Sequence, residues 1–202
     1  PLNGRVWYPD GEGPFPLVLV VHGNHMQEDF SDAGYGYLGE LLASRGMIVV
    51  SVDENFLNGA WTSFLGGEEN KNENDARAWM LLEHLSLWEA WNNDPKQFFY
   101  QKVDWQKLVL IGHSRGGEAV AEAAHFNRLP YYPDNATIKF NYNFPIQAVV
   151  AIAPVDDQYN PGGWETPLED VNYLVLQGSM DGDLTSYDGI GQYKRETYSE
   201  LD

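Results

Sequence analysis

The sequence predicts an α/β fold, a three-layer α/β/α sandwich around a mostly parallel central sheet. Three observations predict it. Short, nearly all-apolar runs recur along the chain, and a strand without polar alternation is one covered on both faces. Stretches with helical spacing of apolar residues separate these runs. The runs end in polar or glycine-rich turns, where open α/β sheets place their functional groups.

Gly4-Arg5-Val6-Trp7-Tyr8-Pro9 reads as the first strand. Phe15-Pro16-Leu17-Val18-Leu19-Val20-Val21 reads as a buried strand that ends at His22-Gly23-Asn24-His25. A helix is expected from Tyr37 to Arg45, closed by Gly46. Met47 to Val52 is the next buried strand, ending at Asp53-Glu54-Asn55, and residues 56–74 read as a polar loop rich in Gly and Asn. From Asp75 to Trp91 a long helix carries Ala78, Leu81, Leu82, Leu85 and Trp88 along one face, and Asn93-Asp94-Pro95 breaks it. A strand over 107–112 leads into a helix over 115–127. Residues 129–145 read as irregular, being rich in Tyr, Asn and Pro. Strands follow at 147–153 and 171–177, the second ending at Gly178-Ser179-Met180-Asp181, and Gln192 to Leu201 is helix-like. With no internal repeat, low-complexity tract or visible linker, one domain over residues 1–202 is expected.

Twelve basic against 30 acidic residues give a net charge of −18, which argues against nucleic acid and anionic membranes as partners. The longest apolar run is strand-sized, so no membrane insertion is expected. The chain has no cysteine, which removes disulfides, cysteine metal sites and a cysteine nucleophile. The compartment stays open: a secreted or periplasmic protein is compatible with these features, and so is a cytoplasmic one. Oligomeric state cannot be read from them.

The most informative segment is Leu108-Val109-Leu110-Ile111-Gly112-His113-Ser114-Arg115-Gly116-Gly117, followed by the helix-forming Glu118-Ala119-Val120-Ala121-Glu122-Ala123-Ala124. Gly-x-Ser-x-Gly alone is a weak signal. Flanked by a strand and a helix it describes a sharp turn that lifts the serine Oγ out of the sheet, within reach of a base. The other reading of the segment is a glycine-rich turn of an unrelated open sheet.

Together the Ser114 elbow, the Pro16-to-Gly23 strand with its His-Gly turn, and the Gly178-to-Asp181 turn resemble the α/β-hydrolase family. Within it the chain is similar to the dienelactone hydrolase, platelet-activating-factor acetylhydrolase and polyester-hydrolase-like serine esterases, over roughly residues 5–185. The resemblance implies a serine hydrolase with a catalytic triad, acting on carboxylic esters through an acyl-enzyme on Ser114. It implies an oxyanion hole built from the backbone N–H groups of Arg115 and Asn24. It makes Asp181 the triad acid, with Asp183 and Asp156 as alternatives. His25 and Trp61 are candidates for lining the substrate pocket, and the substrate would be a small-molecule or polymeric ester.

The base is where the sequence departs from the family, whose histidine follows the acid. The five histidines are His22, His25, His84, His113 and His125, none of them after Asp181. His22 belongs to the oxyanion turn, His113 is expected to point away from the reacting face, and His84 and His125 sit on helices. The expectation is therefore that the chain is truncated, lacking a final strand, the histidine and a closing helix. The rival reading is a non-catalytic domain of the same fold that serves binding.

No cofactor and no metal site are expected. Asp181, Asp183 and Asp188 miss the spacing of a calcium loop, and His22-x-x-His25 lacks a third ligand at a zinc-site spacing. No phosphate-binding loop is present, since Gly66-Gly67 lacks a flanking strand.

Overall fold

The computed structural model describes residues 2–58, 73–184 and 186–199. Trp61, and most of the polar loop expected at 56–74, lie outside the described residues. The central sheet contains β1 (Gly4–Trp7), β2 (Phe15–Val21), β3 (Ile48–Val52), β4 (Val103–His113), β7 (Ile146–Ile152) and β9 (Asn172–Leu176), in the order β1-β3-β2-β4-β7-β9. All its pairings are parallel except that of β1 with β3. This is the mostly parallel α/β architecture that the apolar runs predict.

Each central strand serves two faces with a period of two residues. Leu17, Leu19 and Val21 of β2 point to one face, together with Val50 and Val52 of β3 and Leu108 and Leu110 of β4. There α2 (Asn74–Asn93) contributes Ala78, Leu81, Leu82, Leu85 and Trp88, and α3 (Arg115–Phe126) contributes Ala119, Val120 and Ala123. Val18 and Val20 face the other way with Val49 and Ile111, and α1 (Gly36–Ala43) covers them with Leu38 and Leu42. The helical stripe read between Asp75 and Trp91 is thus the surface that α2 lays on the sheet.

Four details differ from the sequence reading. β4 begins at Val103 rather than 107, because residues 104–107 bulge between the pairs Phe15–Val103 and Leu17–Leu108. Apolar periodicity cannot report that polar bulge. Within the irregular 129–145 stretch lies a hairpin of β5 (Tyr131–Tyr132) and β6 (Asn135–Lys139), turned by Pro133-Asp134. The helix expected at 192–201 lies earlier, as α4 (Asp188–Lys194), and Glu196–Thr197 form β10 beside β8 (Leu168–Glu169). Finally, β9 is exposed on one face, with Leu174 51% and Leu176 49% accessible, because it is the last strand of the sheet among the described residues.

The α2–α3 face holds buried carboxyls as well as apolar groups. Glu118 and Glu122 lie one turn apart on α3 and are 2% and 0% exposed. Glu118 accepts N–H bonds from Gln158 (2.8 Å) and Tyr159 (3.1 Å) and an Asn74 amide bond (2.5 Å), tying α3 to the loop after β7. Neither carboxyl oxygen of Glu122 has a hydrogen-bond partner among the described residues. Burial pushes the Glu118 carboxyl up to about 7, and burial together with the nearby Glu118 and Asp75 holds Glu122 well above the usual range.

These shifts set a pH dependence. Between about pH 5 and 7 the glutamates of the unfolded chain are ionised, whereas folded Glu118 keeps its proton until pH passes about 7, and Glu122, raised in the same direction, acts with it. The folded state binds the extra proton, so stability falls as pH rises through this window, by about 1.4 kcal/mol per pH unit for each proton retained. His22 and His84, lowered to about 4 by burial, act oppositely: the stability they remove returns as pH rises from about 4 to 6.5, and above that they are neutral in both states. Glu122→Gln is therefore expected to flatten the fall in melting temperature as pH rises above about 5 and to raise it at pH 8, as followed by thermal unfolding.

Candidate active site

Ser114 stands between β4 and α3 with φ 56° and ψ −120°, a backbone conformation disfavoured for any residue with a side chain. Its peptide groups hold it there. The Ser114 N–H donates to Ile152 O (3.0 Å), and Ser114 O accepts from the N–H groups of Gly117 (2.8 Å) and Val155 (3.2 Å). Close approach does the rest. A Cβ on Gly112 would lie 1.9 Å from Gly116 O, and one on Gly116 would lie 2.6 Å from Val21 O. The two glycines of Gly-x-Ser-x-Gly let the helix start against the ends of β4 and β2.

The His22-Gly23-Asn24 turn follows β2 and lies directly beside the elbow. A Cβ on Gly23 would come within 2.7 Å of Ser114 Cβ. The fully buried His22 ring uses both nitrogens: Nδ1–H donates to Gly23 O (2.8 Å), and Nε2 accepts from the Glu54 N–H (3.1 Å). Burial holds the ring neutral, with its pKa lowered to about 4. Pinning Gly23 O fixes the Gly23–Asn24 peptide plane and so the direction of the Asn24 N–H, which in a trans peptide is opposite to the carbonyl. The same logic applies to the Arg115 N–H, because the carbonyl of its own peptide plane is the doubly bonded Ser114 O. As the first residue of α3, Arg115 carries one of the amides that have no acceptor within the helix.

His25, Asp29, Ser31, Gly34, Tyr35 and His113 line a cleft of about 360 Å³ at this end of the sheet. His25 is exposed and its Nδ1 lies 2.9 Å from Ser31 Oγ, which in turn donates to Asp29 O at 3.2 Å. His113 therefore faces the cleft beside His25 rather than the body of the protein. Burial lowers its pKa and the nearby His25 lowers it further, while the charges of Asp181 and Asp183 pull it upward.

Of the three candidate acids, Asp181 is held by its own turn. Its Oδ1 accepts from the N–H groups of Asp183 (2.9 Å) and Leu184 (3.1 Å), and these bonds hold the carboxyl below the usual carboxylate range. Asp183 is exposed on the same turn. Asp156 is committed elsewhere, with Arg195 gripping both of its oxygens at 2.8 and 2.5 Å.

Sequence reasoning missed a buried ionic cluster beside the elbow. Arg77, 0% exposed on α2, meets Glu54 Oε2 (3.4 Å), Asn58 Oδ1 (2.9 Å) and Glu73 Oε1 (3.4 Å). The same Glu73 oxygen binds the Arg115 guanidinium. Burial pushes the Glu54 carboxyl up to about 8 against the opposing pull of Arg77. The available signal was an arginine next to Ala78 on the apolar stripe of α2. Among the described residues, no group of three or more His, Cys, Asp or Glu side chains is arranged to hold a metal ion. Likewise no helix among them is long and apolar enough to cross a membrane.

Comparison with known proteins places these features in context. A family model described as Chlorophyllase matches residues 2–161, a span that contains the elbow and the His22–Asn24 turn and ends before Asp181. Esterase EstD of Thermotoga maritima is 28% identical over 133 residues, covering 61% of this chain and 27% of that protein. Cutinase 2 of Thermobifida cellulosilytica is 25% identical over 115 residues, covering 57% of this chain and 36% of that protein. Cutinase cut1 of Thermobifida fusca is 25% identical over the same 57% of this chain and 30% of its own length. The chain thus spans about a third of the length of the relatives it matches.

The 1.9 Å approach at Gly112 yields a test of the elbow as a packing constraint. The obstructing atom is backbone, so the neighbour cannot rotate away. Gly112→Ala is expected to cost about 3 kcal/mol or more, at or beyond the upper end for overpacking. Denaturant unfolding of the variant beside the parent measures it.

Proposed function

This chain belongs to the chlorophyllase family, and we propose that it is a serine hydrolase that cleaves carboxylic esters through an acyl-enzyme on Ser114. The observation that carries the reading is the backbone of Ser114, held at φ 56° and ψ −120° between a strand and a helix. A side chain kept in such a conformation by its surroundings is the mark of an exposed nucleophile at a nucleophile elbow. The esterase and cutinase names of the relatives support the same class of bond.

In this reading Ser114 Oγ attacks the ester carbonyl carbon while a base takes its proton. The tetrahedral oxyanion is received by the N–H groups of Asn24 and Arg115, whose directions are preset by the pinned carbonyls of their peptide planes. Collapse of the intermediate expels the alcohol, which leaves with the proton from the base. Water then repeats the sequence on the acyl-enzyme and releases the acid. Asp181 is the group assigned to orient the base, because its carboxylate is ionised and fixed by two backbone donors. His25 is assigned to the wall of the substrate cleft. Tyr35, which also lines the cleft, supplies an aromatic wall suited to a small-molecule or polymeric ester.

A fluorophosphonate probe is expected to label the full-length protein at one serine, and Ser114→Ala to abolish the labelling; labelling that survives the substitution overturns the reading. Asp181→Asn is expected to lower kcat on a p-nitrophenyl ester by about 10⁴, the cost of losing the contact that fixes the base tautomer. A larger loss in Asp183→Asn transfers the role to that residue.

A further inference from the structure

We propose that Glu73 is a positioning residue for the oxyanion hole, joining the two peptides that carry its N–H donors. The inference rests on the acyl-transfer reading of Ser114. One donor belongs to Arg115, and the Arg115 guanidinium binds Glu73 Oε1. That oxygen also meets Arg77, which holds Glu54 Oε2 at 3.4 Å. The Glu54 N–H in turn donates to His22 Nε2, and His22 Nδ1–H holds the carbonyl of the Gly23–Asn24 peptide. A continuous path of ion pairs and hydrogen bonds therefore runs from the side chain of one donor residue to the peptide plane of the other.

The path crosses four separate elements: α3, the start of α2, the turn after β3 and the turn after β2. Arg77 and Glu54 are 0% exposed, so neither has water as an alternative partner. A guanidinium shared between fixed carboxylates permits few arrangements. Where Gly23 meets Ser114 there is no side chain to take up slack, since even a Cβ would lie 2.7 Å from Ser114 Cβ. The two donors must nonetheless stand within a few tenths of an ångström of their working separation for the oxyanion to meet both. Among the described residues, Glu73 is the one side chain that touches both the Arg115 and the Arg77 ends of the path. A purely stabilising ion pair is a poor alternative account, since burying such a pair brings little net stability.

The test is the rate at which a fluorophosphonate phosphonylates Ser114 with loss of fluoride, a step whose transition state needs both donors. Glu73→Gln keeps shape and hydrogen-bonding capacity but removes the charge. It is expected to slow labelling and to lower kcat about tenfold, with KM unchanged. That loss is smaller than the 10² to 10³ of deleting one oxyanion donor outright. Affinity for an ester-like trifluoromethyl ketone, whose adduct carries the oxyanion, is expected to fall by the same factor. Arg115→Gln breaks the same tie from the rim and leaves the Arg77–Glu73 pair in place. It is expected to reproduce the effect, and the double variant is expected to be no slower than either single one. Because it does not open the buried pair, it carries the test if Glu73→Gln fails to fold. Parental labelling rate and ketone affinity in the folded variants overturn the positioning role, as does an additive double variant. A parent protein that is not labelled at Ser114 overturns the acyl-transfer reading and this inference with it.

Discussion

Everything at the Ser114 end of the sheet depends on the start of α3 being pressed against the ends of β4 and β2. That contact is possible because Gly112 and Gly116 carry no side chain: a Cβ at Gly112 would lie inside the contact distance of Gly116 O, and one at Gly116 would meet Val21 O and His22 O. The contact forces Ser114 into its positive-φ conformation. The strain, of order 1–3 kcal/mol for such a residue, is held by three hydrogen bonds from its own peptide groups to β7, α3 and the loop after β7. Packing in the apolar core thus becomes a fixed direction for one hydroxyl.

The same economy extends to the neighbouring backbone. In a rigid peptide the N–H points opposite to the C=O, so anchoring a carbonyl aims an amide. The Ser114 and Gly23 carbonyls are both anchored, the first by backbone amides and the second by the His22 ring. His22 can do this only as a neutral imidazole with its proton on Nδ1. Burial keeps it neutral, and the Glu54 N–H on Nε2 selects the tautomer. His22, which the sequence places in the oxyanion turn, is therefore a structural strut, with both ring nitrogens spent.

The strands and the elbow were legible because apolar runs, glycine spacing and helix formers are local signals. Phe15–Val21 and Ile48–Val52 match their apolar runs to within a residue. What was not legible depends on which groups meet across the fold. The β4 bulge is built from Asp104, Trp105, Gln106 and Lys107, of which only Trp105 is apolar and only Gln106 and Lys107 are exposed, so it carries no apolar alternation. α4 is docked through Gln192, whose amide meets Tyr173 and Val155 O, and an amide carries no periodic signal. Asp156 and Asp181 are both acids at strand ends, and in the sequence only the Gly-x-x-Asp resemblance separates them. The structure adds a second difference, since Arg195, 39 positions from Asp156, occupies that carboxylate. The ionic cluster of Glu54, Glu73, Arg77 and Arg115 is drawn from three parts of the chain and was invisible for the same reason.

The interface between α2 and α3 divides its buried charge in a way that follows the site. At the end nearest Ser114, Arg77 and Arg115 share Glu73, and Arg77 also meets Glu54, whose carboxyl burial pushes up to about 8 against the arginine's pull, so the geometry is fixed by directional bonds. One turn and two turns along α3, Glu118 and Glu122 face no cation among their strongest influences, and burial drives them toward the neutral form instead. Both arrangements avoid an unpaired buried charge, but by different means. Protonation relieves the electrostatic cost while leaving a carboxyl oxygen such as those of Glu122 free of any fixed direction. Ion pairing costs desolvation and returns little stability, yet it fixes orientation. Orientation is the quantity that matters next to the Asn24 and Arg115 amides in the proposed oxyanion role, and it is at that end of the interface that the paired charges are found.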